Sequence, residues 1–406
     1  MAVNDGLSGA QAGAGTQGDE RPLQEVVFQE PDFFRDPYPA YARLRSEAPV
    51  WWCEEQSAWL VSRYEDVRAV LLDAQTYSNR PHQGLYGPYD DDNAGSFFLK
   101  DQPEHTAWRR IFTGGGGFSA AAMKACRDVM EEICADLIAK LPAGDIDAVR
   151  DISVPLTAGF LARLYDLPAD DAPWVEAITD FYHPGTAELT PTLLAYFEDL
   201  VKKRREAPGH DPLSKAVLAN DSKGPLLTDQ QMAWNFHDLV LAGAASMYAA
   251  IAESVAVLAE NPETQDSRHW ESSEAAERST EEILRWLEHS HWLFRTATVD
   301  VELGGRRIRA GDGVFPLIAS ANRDDDVWGN GSELDLGRNA GVPNLAFGYG
   351  PHIAVGAMVA RAFLATMLPI LVRARAPFRL GGVPERVLGN GVSTPTTIPI
   401  TPADES

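Results

Sequence analysis

Only three cysteines occur in the 406 residues, Cys53, Cys126 and Cys134. None stands in a Cys-x-x-Cys pair or at the spacing of a zinc site. That excludes a disulfide framework and agrees with a reducing compartment. Cys126 and Cys134 lie eight residues apart in a helical pattern, where small buried thiols are expected. Positive charge is also scarce: 35 Lys and Arg against 59 Asp and Glu leave a formal net charge of -24. So acidic a chain has little attraction for nucleic acid or for anionic membrane surfaces. No uninterrupted apolar run reaches the roughly 18 to 20 residues needed to cross a bilayer. The opening stretch MAVNDGLSGAQAGAGTQGDERP lacks the basic and apolar regions of a secretory signal. Residues 1–22 therefore read as a disordered tail and 23–406 as one large domain, with a cytoplasmic location expected.

What is present is mostly helical patterning. DPYPAYARLRSEAPV starts an amphipathic helix over Tyr38 to Ser46, and two short strands and a helix from Tyr64 follow. The stretch from Ser78 to Gly95 has no usable period and many turn formers, so it reads as a long loop of the kind that covers binding sites. From about Ala120 to Glu288 the period is helical. A β-rich patch, TATVDVELGGRRIRAGDGVFP, has Gly304-Gly305 as its hairpin turn. One more long helix and a tail of short strands close the chain. The pattern predicts a mainly α fold with minor β (α+β).

One helix stands out. Thr228 and Gln231 have the spacing of a capping box, and apolar residues from Phe236 to Leu258 recur at three- and four-residue steps. In its middle lies LAGAAS, with Gly243 among alanines. Glycine costs about 1 kcal/mol in a helix interior. Close packing of another helix at that point is the expectation from composition; a flat ligand needing bare backbone is the alternative.

The stretches DPYPAYARLR, WLVSRYEDVRAVL, DQPEHTAWRR, LAGAAS, EEILRW, FRTATVDVELGG, ASANRDDDVW and FGYGPHIAVGAMVAR occur in an order that resembles a soluble bacterial cytochrome P450, from about Asp36 to the C-terminus. The resemblance implies a triangular, helix-rich single domain holding haem b between the long central helix and the loop FGYGPHIAVG. It implies a buried network of Glu282, Arg285 and Arg338; the first two are three apart on one helix face. It places His105, Arg109, Arg295 and His352 at positions that bond the two haem propionates, a task suited to cations and N–H donors. Gly243, Phe347 and Gly350 fall at positions lying against the macrocycle.

The same resemblance exposes departures. The family places its iron-ligating cysteine two residues after the histidine of this loop, and Ala354 stands there. A thiolate pushes electron density onto iron to favour O–O cleavage; a methyl group ligates no metal. Ala245 takes the place of the usual acid on the central helix, leaving Ser246 as the one hydroxyl of the proton relay. Four glycines, Gly114 to Gly117, follow RRIFT and predict a flexible or remodelled segment.

Three functions fit. One is a non-oxidative helper that binds a partner enzyme such as a glycosyltransferase. Another is an enzyme using the same cavity for non-oxidative work on a small molecule in natural-product biosynthesis, with haem held through its propionates and water or an unusual side chain such as His352 on the iron, or with an organic substrate and no haem. The last is an ordinary haem-dependent monooxygenase, served by a redox partner, whose cysteine was replaced. The correlated losses at Ala354 and Ala245 put loss of the monooxygenase mechanism first. Tyr86, Tyr89, Phe181 and Tyr182 fall in the family's substrate-facing regions, the second of which spans Trp174 to Leu194, and suggest a large, partly apolar ligand.

Overall fold

The long central helix dominates the fold. In the computed structural model the described residues are 33, 36–80, 95–114, 120–168, 173–177, 186–222, 226–287, 289–339, 341–389 and 391–403. In chain order the main elements are α1 (Tyr38–Glu47), β1 (Val50–Cys53), β2 (Ala58–Val61), α2 (Tyr64–Leu72), β3 (Tyr77–Ser78), α3 (Glu104–Thr113) and α4 (Ala120–Lys140). Then come β4 (Ile146–Asp147), α5 (Val154–Tyr165), α6 (Thr186–Glu206), α7 (Pro212–Asp221), α8 (Asp229–Glu260) and α9 (Ser273–Trp286). The chain closes with β5 (Arg295–Ala297), β6 (Val301–Leu303), β7 (Arg306–Ile308), β8 (Gly313–Pro316), α10 (Ala357–Arg375), β9 (Phe378–Leu380), β10 (Glu385–Gly389), β11 (Val392–Thr397) and β12 (Pro399–Pro402). The tail, the centre of the Ser78–Gly95 loop with Tyr86 and Tyr89, the last three of the four glycines, and Phe181 and Tyr182 lie outside the described residues.

α8 begins where its capping box requires: the Gln231 N–H donates to Thr228 Oγ1 at 3.2 Å, and the Thr228 N–H donates to Gln231 Oε1 at 2.9 Å. Its 32 residues run through the main core, with Phe236, Val240, Ile251 and Leu258 fully buried, and pack against α5 and α6. α8 and α10 are long and apolar enough to cross a membrane by length and composition. The absence of an unbroken apolar run did not exclude such windows, because alanines and isolated polar residues keep their mean hydropathy high. Here 78% of the α8 window and 56% of the α10 window are buried inside the protein.

The strands come from distant parts of the chain. A five-stranded sheet has the order β1-β2-β8-β5-β3, with β2 parallel to β8 and the other neighbours antiparallel. β6 and β7 form the hairpin expected at Gly304 and Gly305, whose φ angles of 55° and 71° are left-handed. β4 interrupts the helical middle of the sequence and pairs with the C-terminal β12. Two residues carry no readable period, so this strand exists only because the far end of the chain supplies its partner.

Candidate functional site

Three elements converge on one cluster of basic side chains. α3 presents His105 and Arg109 from one face, four residues apart; His105 is 2% exposed. β5 contributes Arg295, buried between β8 and β3, whose Nη1 donates to the Phe294 carbonyl at 2.6 Å. The loop before α10 contributes His352. Its ring lies 3.9 Å from that of His105, centroid to centroid, with the planes 35° apart.

Arg109 joins helix to loop. Its Nη1 donates to the Pro351 carbonyl at 3.2 Å and its Nη2 to the Ile353 carbonyl at 2.7 Å, on either side of His352. Gly348 and Gly350 turn the loop with φ angles of 71° and 73°. A Cβ on Gly350 would stand 2.6 Å from the Leu71 carbonyl oxygen, so only glycine lets the loop approach α2. The Ala354 N–H donates back to the Phe347 carbonyl at 3.0 Å and closes the turn. Phe347 lies beneath the Arg361 guanidinium, 4.6 Å from ring centre to carbon, and Arg361 Nε donates to Glu281 at 2.5 Å.

The electrostatics follow from crowding donors together in a buried place. Burial lowers the His352 imidazole to about 3, and His105, Arg295 and Arg109 push the same way. Burial and Arg109 lower His105 to about 4 against a weaker pull from Asp101. Both rings are neutral at physiological pH. His105 Nε2 and both ring nitrogens of His352 are buried with no hydrogen-bond partner. Unpaired buried polar atoms are costly, at about 1 to 3 kcal/mol each, and three in one place mark a site shaped for something else. As a donor set it suits a ligand carrying carboxylates.

The middle of α8 has a less buried face. Ala242, Gly243 and Ser246 are less buried than the surrounding turns, and Ser246 is exposed. A Cβ built on Gly243 meets nothing within 4 Å, so the close helix packing expected at this glycine is not what the structure has. Ser246 Oγ donates to the Ala242 carbonyl at 2.9 Å, and Ala245 is fully buried. Ser246 thus spends its proton within its own helix. For a metal the site offers little: among the described residues no three His, Cys, Asp or Glu cluster together. Cys53 lies in β1, and Cys126 and Cys134 lie in α4; Cys53 and Cys134 are buried, Cys126 half-buried.

Glu282, Arg285 and Arg338 also meet. Arg285 Nε and Nη2 each donate to Glu282 at 2.8 Å, and Arg338 Nε donates to Glu282 Oε1 at 3.1 Å. The remaining Arg285 donors reach the carbonyls of Asn322, Gly331 and Glu333. Sequence reasoning missed Gln102 and Thr106. Gln102 Nε2 lies 3.0 Å from His105 Nδ1, and the Thr106 hydroxyl donates to Gln102 Oε1. Their spacing from His105, three before and one after, was the available signal.

Comparison with known proteins gives these features a frame. The family model for cytochrome P450 matches residues 146–375. The chain is 31% identical over 390 residues to nocardicin C N-oxygenase of Nocardia uniformis subsp. tsuyamanensis, covering 90% of this chain and 96% of that protein. It is also 31% identical to mycinamicin VIII C21 methyl hydroxylase of Micromonospora griseorubida over 358 residues, 85% of this chain and 90% of the other. A solved cytochrome P450 from Chondromyces apiculatus superposes with a TM-score of 0.80 at 26% identity, covering 94% of this chain and 99% of its own. With its single helix-rich domain built around α8, the chain belongs to the cytochrome P450 family.

Proposed function

We propose that the chain retains the carboxylate-holding end of a P450 haem site while lacking its thiolate, and serves natural-product biosynthesis as a non-oxidative enzyme acting on a small molecule. The observation that carries this reading is the conjunction of Ala354 in the loop with orphaned nitrogens on His105 and His352. The residues fit haem b along one edge only. His105, Arg109, Arg295 and His352 would hold its propionates, the open backbone at Gly243 would leave room for its plane, and Phe347 and Gly350 would line the loop beneath. Bound haem would supply iron chemistry that depends on the ligand the protein gives it, and where the family places its cysteine this chain has the methyl group of Ala354. With Ala245 buried and the Ser246 hydroxyl turned onto its own helix, the chain's proton path toward a bound ligand is also cut short. The relatives are named for oxidations of nocardicin C and mycinamicin VIII, which supports a place in secondary metabolism. Burial of the two membrane-length helices supports a cytoplasmic location.

The test is an absorption titration of the purified protein with haem, then dithionite and carbon monoxide. A stoichiometric Soret band without the red-shifted carbon-monoxide band of a thiolate complex is expected. A thiolate-type spectrum from the unaltered chain would overturn the reading. No Soret band at all would remove its haem-holding half and turn the search to a haem-free pocket or a helper role, checked by co-purification with a glycosyltransferase.

A second reading has one observation in its favour: the loop keeps its Gly348 and Gly350 turns and its Ala354-to-Phe347 closure. That is a frame in which a cysteine would restore an ordinary monooxygenase. Under it, Ala354→Cys loaded with haem gives the red-shifted band and, with a redox partner, oxygen-dependent turnover. If the variant gives the band but no turnover, the lost proton path decides and the first reading stands.

A further inference from the structure

We infer that Gln102, held by Thr106, is a positioning residue that fixes which nitrogen of His105 carries the proton. The inference rests on the proposed reading that the basic cluster holds carboxylates. A neutral imidazole has one N–H and one lone pair, and a partner on one nitrogen decides the role of the other. Gln102 Nε2 faces His105 Nδ1 at 3.0 Å, so the amide donates and Nδ1 accepts. The amide could serve the other way round only if its oxygen faced the ring. In the structure that oxygen instead accepts from the Thr106 hydroxyl. Gln102 stands two residues before α3 and His105 and Thr106 lie in its first turn, so the relay is local and needs no distant contact.

The consequence appears at the far side of the ring. With Nδ1 committed, the proton of His105 sits on Nε2, the atom that is buried without a partner beside the His352 ring. An N–H aimed into a group of cations is unfavourable until an anion arrives. The relay therefore holds His105 as a donor in advance of its ligand, and the ligand loses no energy in moving the proton.

The experiment reads the proton directly. Ring nitrogens of histidine-labelled protein are recorded by long-range proton–nitrogen correlation at neutral pH, with His105 assigned by its loss in His105→Gln. The expected result is an N–H shift at Nε2 and a lone-pair shift at Nδ1. Gln102→Met, similar in volume without the amide, should give a mixture of tautomers; Thr106→Val should move it the same way by less, and carries the test if Gln102→Met does not fold. Binding is read by fluorescence with metal-free protoporphyrin IX, which has the two carboxylates and needs no iron ligand, and with its dimethyl ester. Gln102→Met should weaken the free acid about five- to tenfold and leave the ester unchanged. A proton on Nδ1 in the unaltered protein, or a tautomer indifferent to both substitutions, overturns the inference. If the tautomer follows Gln102 while acid and ester bind alike, the relay stands and the carboxylate-site reading falls.

Discussion

Two arginine-centred clusters share this frame and are finished in opposite ways. Around Glu282 the bonds close on themselves: all five N–H groups of Arg285 are donated, to Glu282 and to three backbone carbonyls, within a side chain that is fully buried. Around His352 they do not: three buried ring nitrogens have no partner, and Arg109 has no carboxylate partner among the described residues. A network that satisfies itself needs nothing further and reads as structure. One that leaves donors open reads as a receptor.

The comparison can be broken most sharply at Glu282. Glu282→Ala strands a buried arginine, and the loss should be about 3 to 5 kcal/mol, read as a lowered urea midpoint. A much smaller loss would mean that the network does not hold the fold. The open cluster should respond to acid instead. Unfolded imidazoles take up protons below about 6.5, whereas His105 and His352 stay neutral down to about 4 and about 3. Protons therefore bind the unfolded chain first, and stability falls as pH drops from about 6.5 toward 4. His289 and His291, also lowered by burial, add to that slope. The informative quantity is its change: saturating protoporphyrin IX should raise His105 and His352 and flatten thermal stability against pH, and an unchanged slope would count against carboxylates at this site. The smallest effect is expected from His352→Ala in the ligand-free protein. It removes no hydrogen bond, so the unfolding free energy should move by about 1 kcal/mol or less while protoporphyrin binding weakens.

Some of this was legible before any coordinates. The capping box at Thr228 and the hairpin at Gly304-Gly305 are local codes, written in neighbouring residues, and both stand where the sequence places them. Glu282 and Arg285 are readable as neighbours on a helix face, but their burial depends on the chain near 322, 331 and 333, which no local pattern announces. Gly243 departs from the expectation for a related reason. A glycine in a helix says that space is wanted at its side, and only the surrounding fold says whether a helix or a void fills it. The basic cluster draws on α3, β5 and the loop before α10, from His105 to His352 in the chain, so it was visible only through family resemblance.

The less buried face of α8 has a practical consequence. Ser246 is an exposed position inside an otherwise buried helix, so a thiol placed there by Ser246→Cys would be reached by an alkylating reagent only when that face is vacant. The background is favourable: burial pushes the native thiols up, Cys53 to about 11 and Cys134 to about 12, with Cys126 shifted the same way. Thiolates react and thiols do not, so the rate of alkylation at 246 becomes a gauge of whatever the protein holds, readable by mass even for a guest with no colour.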